Sequence, residues 1–430
     1  MRNWAGGLGL LLALASPAFA QQAQAPIVGV TLADSGDTAW VMLATLLMLI
    51  MTIPGLLLFF AGQTATKHVL ALATQIFAVV AAVSLLWIAI GYSLALGEAT
   101  TLLGGLDNAF LANLAELRVD TTIPESGYAF YQMVLAVFAA LLLIGAAADR
   151  ARFGWMLALA LLWSLCVYVP IAHWFWGNGW LADLGAHDYA GGVVVDAAAG
   201  VSALMIALMI KPRLGFGQAL DGPHSPVLML AGVGLLWVGT LASIGGAALT
   251  ASDDAASAMI NTHLSACAAA LVWAAIAQLR TGKTSAVDLV RGAISGLVAA
   301  AAAAGYIGPI GAIVLGAIVG AASALSVPLM KRQFGIDDGA NVFAIFGVAG
   351  LVGAVLFPIF VPILGGPGFE QGVTMTNQLL AQAIAVGAVV LWSAIVTLIL
   401  GLGITLVIPM RVSEAEKARG TGNGDVTIGI

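Results

Sequence analysis

Charge is what this sequence most lacks: Asp, Glu, Lys and Arg make up 8% of its 430 residues, about a third of what a water-soluble domain carries. A water-soluble fold is thereby excluded. Long polar stretches are missing too, and no segment between hydrophobic runs is long enough to fold by itself, so the chain length does not argue for several domains. Cysteine occurs only at Cys166 and Cys267, each inside an apolar run; such thiols act as small core residues and make no disulfide framework. A basic surplus is likewise absent, the net charge being −6, and nucleic acid is not an expected partner. Of the five histidines, His173 and His187 lie fourteen positions apart without the cysteine or carboxylate cluster that a metal site needs. Neither metal nor cofactor is expected. No nucleophile–base pair appears, so no enzyme is indicated.

What the chain has in abundance is apolar length: 61% of its residues are hydrophobic and the mean hydropathy is +1.05. Runs able to cross about 30 Å of hydrocarbon fall at roughly 39–62, 69–97, 128–148, 154–176, 190–210, 226–249, 257–278, 287–304, 308–330, 341–364 and 378–408. This predicts an all-α integral membrane protein of eleven transmembrane helices. Ahead of them stand Arg2, an apolar stretch from Gly6 to Leu14, and Ala18-Phe19-Ala20, the pattern of a signal peptide cut after Ala20. The alternative is an uncleaved amphiphilic first helix. Either way Gln21 begins outside. Twelve of the fifteen basic residues then cluster near Lys67, Arg150, Lys211, Arg280, Lys331 and the carboxyl tail, the connections expected to be cytoplasmic by the positive-inside rule. The expected organisation is a signal peptide over 1–20, one membrane domain over 21–410 and a cytoplasmic tail over 411–430, in a bacterial inner membrane and surrounded by its lipids. Gly, with 52 residues, and the Ala-rich spans let helix backbones pack closely.

Polar residues inside such spans carry the functional information, because a charge at the bilayer centre costs at least about 2.5–3.5 kcal/mol. Asp196, in "AGGVVVDAAAG", is the clear case. It admits two readings: a cation or proton site, or a neutral acid hydrogen-bonded to a neighbouring helix. Asp188, just before the same helix, suits capping of free backbone N–H groups. Asp337 and Asp338, before the tenth span, suit the same structural role. Trp174, Trp176 and Trp180 mark the outer end of the fourth span as an interfacial belt, and one of them offers a cation–π alternative at a pore mouth. His263 reads as a helix-packing hydrogen bonder.

The strings "GDTAWVMLATLLMLIMTIPGLLLFFAG", "YVPIAHWFWGNGW", "DYAGGVVVDAAAG" and "MRVSEAE", in this order, resemble the Amt/Mep/Rh ammonium transporter family over nearly the whole mature chain. The resemblance implies two inverted five-helix repeats plus an eleventh helix along the outside. It further implies a homotrimer with a pore in each subunit and a substrate path near the midplane between the repeats. Trp176 then matches the tryptophan of the family's outer ammonium site, and Asp188 its buried aspartate. Leu135 stands where one of two gate phenylalanines is expected, with Tyr131 matching an aromatic one turn earlier. The second gate ring is replaced by Ser243 and the site's serine by Ala247. In the pore the family carries two histidines sharing a proton, and here Asp196 takes the first position and Phe346 the second. An acid facing an aromatic ring can hold a whole cation or, when protonated, simply fill the lumen.

Transport of ammonium, ammonia or a related small cation is the function this resemblance implies. The alternative is a transport-deficient relative acting as a membrane sensor or assembly partner, motivated by Leu135, Ser243, Ala247 and Phe346. A sensor would be expected to carry an output domain, which the tail beyond Arg411 is too short to form. That tail lacks the longer acidic stretch of the family's regulatory end, so docking of a PII-type signal protein has no support in the sequence.

Overall fold

The computed structural model describes residues 33–147, 149–213, 216–217, 223–363 and 365–412, and among them eleven helices are long and apolar enough to cross a membrane and make up most of the chain. Residues 1–20, where a signal peptide is expected, and the tail beyond Val412 lie outside the described residues. The spans are α1 (Ser35–Ala61), α2 (Thr66–Leu96), α3 (Glu125–Ala147), α4 (Phe153–Asp183), α5 (Gly192–Ile210) and α6 (Pro226–Ala247). They continue as α7 (Asp253–Thr281), α8 (Ala286–Ala303), α9 (Pro309–Gln333), α10 (Phe343–Phe360) and α11 (Met375–Thr405). Helix is the form expected where lipid offers backbone groups no partner. Local sequence sets several ends: Asp34 accepts from Asp37 N at 2.9 Å before α1, Ser285 and Asp288 form a reciprocal capping box at α8, and Gly282 at φ +71° ends α7. A wider π-helical turn interrupts α1 at Met51–Gly55, around Pro54, and another ends α9 at Leu329–Gln333, after Pro328. Proline lacks the N–H that would continue the regular ladder there.

The two five-helix repeats pack in matching ways: α3 lies against α5 as α8 lies against α10, α2 against α4 as α7 against α9. The long α11 packs on α4, α5 and α10 along the outside. The correspondence extends to single residues at the helices that build the centre. Asp188 and Asp338 each stand eight positions before a residue of the candidate site, Asp196 and Phe346. Each is followed three positions later by a left-handed residue, Gly191 at φ +100° and Asn341 at φ +57°. Each carboxylate binds the N–H groups that open its helix: Asp188 takes those of Gly191, Val193 and Val194 at 3.2, 2.9 and 2.7 Å, and Asp338 takes that of Phe343 at 2.7 Å. Burial pushes both carboxyls up to about 6, against the pull of those N–H groups.

Four positions beyond each of Asp196 and Phe346 is a glycine. A Cβ on Gly200 would stand 2.3 Å from Gly347 Cα, and one on Gly350 2.3 Å from the Gly192 carbonyl oxygen. The helices α5 and α10 therefore cross backbone against backbone, which only glycine permits. Gly200→Val is expected to cost about 1–3 kcal/mol by overpacking, read as a lower melting temperature in detergent.

Asp337 departs from the capping role its position predicts. It is fully buried and accepts from Arg150, which also donates to its carbonyl, and from Arg213, whose Nε and Nη2 reach it at 2.9 and 2.8 Å. An arginine fork matches a carboxylate better than a single helix N–H does, so Asp337 clamps three connections on the basic face while Asp338 alone caps α10.

Candidate functional site

Asp196 is placed by the turn that starts α5. Gly192–Ala197 forms a single π-helical turn, as does Phe343–Gly347 in α10, so both Asp196 and Phe346 sit on locally widened helix. Both face one cavity between the repeats, lined also by Leu135, Phe138, Ser243 and Ile244. About 30 Å³ of it is open to the centres of water-sized molecules, enough for one or two. Asp196 is 6% exposed, and its Oδ1 has no hydrogen-bond partner. A buried carboxylate oxygen aimed into a small cavity is a strong demand for a donor or a cation.

Toward the basic face the cavity meets aromatic rings. Phe346 makes edge contacts at 6.4 Å with both Phe59 and Phe138. Phe59 in turn packs at 5.4 Å on Phe60, which lines a smaller cavity bounded by Asp149 and Arg213 at the basic face. Edge-to-face rings of this kind attract one another by about 0.5–1.5 kcal/mol per pair beyond simple burial, and the stack lies between the two cavities. An aromatic ring is also a neutral wall that tolerates a cation at its face.

The sequence-predicted residues divide between the cavity and its supports. Leu135, Ser243, Asp196 and Phe346 line the cavity together. Tyr131 does not: its hydroxyl donates to the Ser243 carbonyl at 2.6 Å and ties α3 to α6. Trp40 Nε1 does the same from α1, donating to the Gly245 carbonyl at 3.0 Å. Ala247 is not in the lining but packs against a small cluster that includes Ile244 and Ala301, which are. Trp176 and Asp188 lie outside the lining but are joined, Trp176 Nε1 donating to the Asp188 carbonyl at 2.9 Å. Trp176 is thus held over the residue that caps the pore helix, at the end of α5 opposite the basic face.

Sequence reasoning missed the aromatic group beside that end. Tyr306 stacks on Phe357 at 5.4 Å and meets Tyr189 at 5.8 Å and His187 at 5.0 Å. Burial lowers the pKa of His187, a nearby Glu370 opposing it, and its backbone N–H is held by Gln382 at 2.7 Å. His173 is equally occupied, with its two ring nitrogens 3.0 and 2.7 Å from the carbonyls of Ala95 and Thr100. Among the described residues no group of three metal-ligating side chains occurs. Phe138 was also missed, although its spacing from Tyr131 and Leu135 places all three on one face of α3.

The family model described as Ammonium Transporter Family matches residues 39–423. An ammonium transporter of Aquifex aeolicus is 38% identical over 418 residues, 96% of either chain. Among solved structures, one titled Sensor Amt Protein superposes with a TM-score of 0.84 at 26% identity, covering 90% of this chain and 96% of its own. Mep2 of Saccharomyces cerevisiae superposes with a TM-score of 0.81 at 32% identity, covering 89% and 88%.

Proposed function

The chain belongs to the ammonium transporter family, and from that premise we propose that it carries ammonium as a whole cation, gripped at Asp196 midway through the pore. Family members that pass ammonia between two imidazoles need a proton acceptor at each of two positions. Here the second position is Phe346, which binds no proton, so a two-ring relay has nowhere to end. The observation that carries the proposal is the unpartnered Asp196 Oδ1 in a cavity walled by Phe138 and Phe346. A carboxylate there is stable when a cation shares the cavity, and attraction to the ring faces adds about 0.5–2 kcal/mol. Trp176 would recruit the cation at the outer mouth, with Asp188 fixing its position and the entry of α5. Leu135 and Ser243 leave the approach to Asp196 without the family's paired rings, and Ala247 supplies no hydroxyl. Passage inward requires the Phe346 ring to swing clear of Phe59 and Phe138.

We place the basic face in the cytoplasm and the Trp176 end outside the inner membrane, in keeping with the distribution of Lys and Arg. Removal of residues 1–20 as a signal peptide fits that orientation. A homotrimer is part of the same proposal: Trp237 donates to His263 at 3.2 Å on the outward faces of α6 and α7, and such a polar pair suits a subunit contact better than lipid.

A sensor without flux is the rival, favoured by the closed aromatic stack and by a structural neighbour that carries the word sensor in its title. Proteoliposomes given ammonium pulses separate the two. Transport is expected to yield ammonium-dependent current under an inward gradient, and silence under every gradient would leave the sensor. Phe346→His is expected not to restore family-like ammonia conduction by itself, because Asp196 is no imidazole. Full flux of neutral ammonia from that one change would reduce Phe346 to a plug.

A further inference from the structure

The cavity around Asp196 carries more polar chemistry than the acid alone. Among its described lining residues three side chains are polar, Asp196, Ser243 and Thr240, and the rest are hydrocarbon, aromatic ring or thioether. Ser243 and Thr240 stand three positions apart on α6, the spacing that puts two residues on one face of a helix. Hydroxyls within helices commonly donate to the carbonyl four positions back, as Thr45, Ser202 and Thr262 do here at 2.7, 2.8 and 2.7 Å. The two hydroxyls of α6 are used differently. Thr240 Oγ1 donates to Met51 Sδ at 3.4 Å, a thioether that accepts only weakly, and its oxygen keeps both lone pairs. The Ser243 hydroxyl takes part in no hydrogen bond among the described residues. The helix that bears them is pinned at this level, since the carbonyls of Ser243 and Gly245 accept from Tyr131 and Trp40.

From this set we infer that Ser243 and Thr240 are specificity-determining ligands of the transported cation, their hydroxyl oxygens completing with Asp196 a shell that fits ammonium and discriminates against methylammonium. Their role presupposes a cation at Asp196, as proposed above, and concerns what surrounds it there. Ammonium carries four N–H donors directed to the corners of a tetrahedron. Asp196 Oδ1, which has no partner of its own, takes one, and the two hydroxyl oxygens take two. The cavity has room for one or two water-sized guests, so it holds one water beside the ion for the fourth. Methylammonium carries three N–H groups and a methyl. In the same place it turns carbon toward one acceptor and displaces the water, and a site built around hydrogen bonds discriminates strongly against an analogue that lacks one. Apolar walls such as Leu135 and Ile244 offer neither ion a hydrogen bond, so the choice between them falls to the three polar side chains.

The test compares the half-saturating concentrations of ammonium and methylammonium for current across proteoliposomes that hold the full-length protein. The native chain is expected to favour ammonium by about tenfold or more. Thr240→Val nearly keeps the shape and removes the hydroxyl. It is expected to raise the ammonium value about tenfold and the methylammonium value less than about twofold, which erases the preference. Ser243→Ala is expected to raise the ammonium value by a similar factor, again with little effect on methylammonium. Thr240→Ser keeps a hydroxyl with less packing and is expected to keep the preference, so loss of a ligand is told apart from loss of fit. A native protein that does not favour ammonium, or a ratio unchanged in Thr240→Val or in Ser243→Ala while the current still depends on Asp196, would overturn the role of the hydroxyls and leave the Asp196 reading standing. Native silence, or ammonium current that survives in Asp196→Ala, would overturn that reading and the role of the hydroxyls with it.

Discussion

Asp196→Ala is expected to abolish ammonium-evoked current while leaving the protein folded. The side chain accepts no hydrogen bond at Oδ1 and lies in a cavity rather than in packed core, so its removal relieves a buried polar group instead of breaking a network. What is lost is the attraction between a carboxylate and a cation about 4 Å away. At an effective dielectric near 20 that is about 4 kcal/mol, on the order of a thousandfold in occupancy. Asp196→Asn keeps the volume and loses the charge, so it is expected to fail nearly as badly. Asp196→Glu keeps the charge one methylene further out and is expected to retain current within about tenfold. Native-like flux in Asp196→Asn would mean that Asp196 fills space and that charge plays no part.

The second large effect is one of stability and lies at the basic face. Asp337→Ala leaves the Arg150 side chain, fully buried, without its principal carboxylate. Stranding a buried charge costs about 3–5 kcal/mol, and a correspondingly lower melting temperature in detergent is the expected result. Asp337→Asn keeps an acceptor for both arginines and is expected to lose less. The sign of the pH effect follows from the same contacts. Burial alone would raise the Asp337 carboxyl, but the Arg213 hydrogen bonds and the Arg150 charge outweigh it and hold the group below the ordinary aspartate range. Its stabilisation is therefore full above that ordinary range and lost only as pH falls through the lowered value. A mild acid shift that stays above the usual aspartate value should leave this clamp intact.

These two sites show how unevenly the sequence discloses the molecule. All eleven spans are legible because lipid compels each crossing to be a continuous apolar helix, and the structure moves most of their ends by only a few residues. The cap formed by Asp338 is equally local, five positions from its Phe343 partner. The role of Asp337 is not, because its partners Arg150 and Arg213 stand 187 and 124 positions away; no short-range pattern links them. In the pore, motif matching locates Asp196 and Phe346, and the structure puts them on one cavity. It does not tell which neighbours share that cavity, since this depends on how each helix is rotated. Tyr131 and Leu135 are one turn apart on α3, yet Leu135 reaches the lumen while the Tyr131 hydroxyl is taken by the Ser243 carbonyl. The Phe59–Phe346–Phe138 stack draws rings from three helices, a convergence that only the assembled bundle reveals. The mirrored pairs, Asp188 with Asp338 and Gly200 with Gly350, were open to sequence comparison of the two halves. They become meaningful once the crossing of α5 and α10 shows why a Cβ has no room there.

The most direct test of Asp196 as a cation site is the charge carried per nitrogen. It is obtained by integrating the current across proteoliposomes while counting the ammonium taken up under the same gradient. Movement of the whole cation predicts one elementary charge for each nitrogen in the native protein, with current and uptake disappearing together in Asp196→Ala. Uptake without charge, or uptake that survives in Asp196→Ala, would contradict it and return the pore to conduction of neutral ammonia.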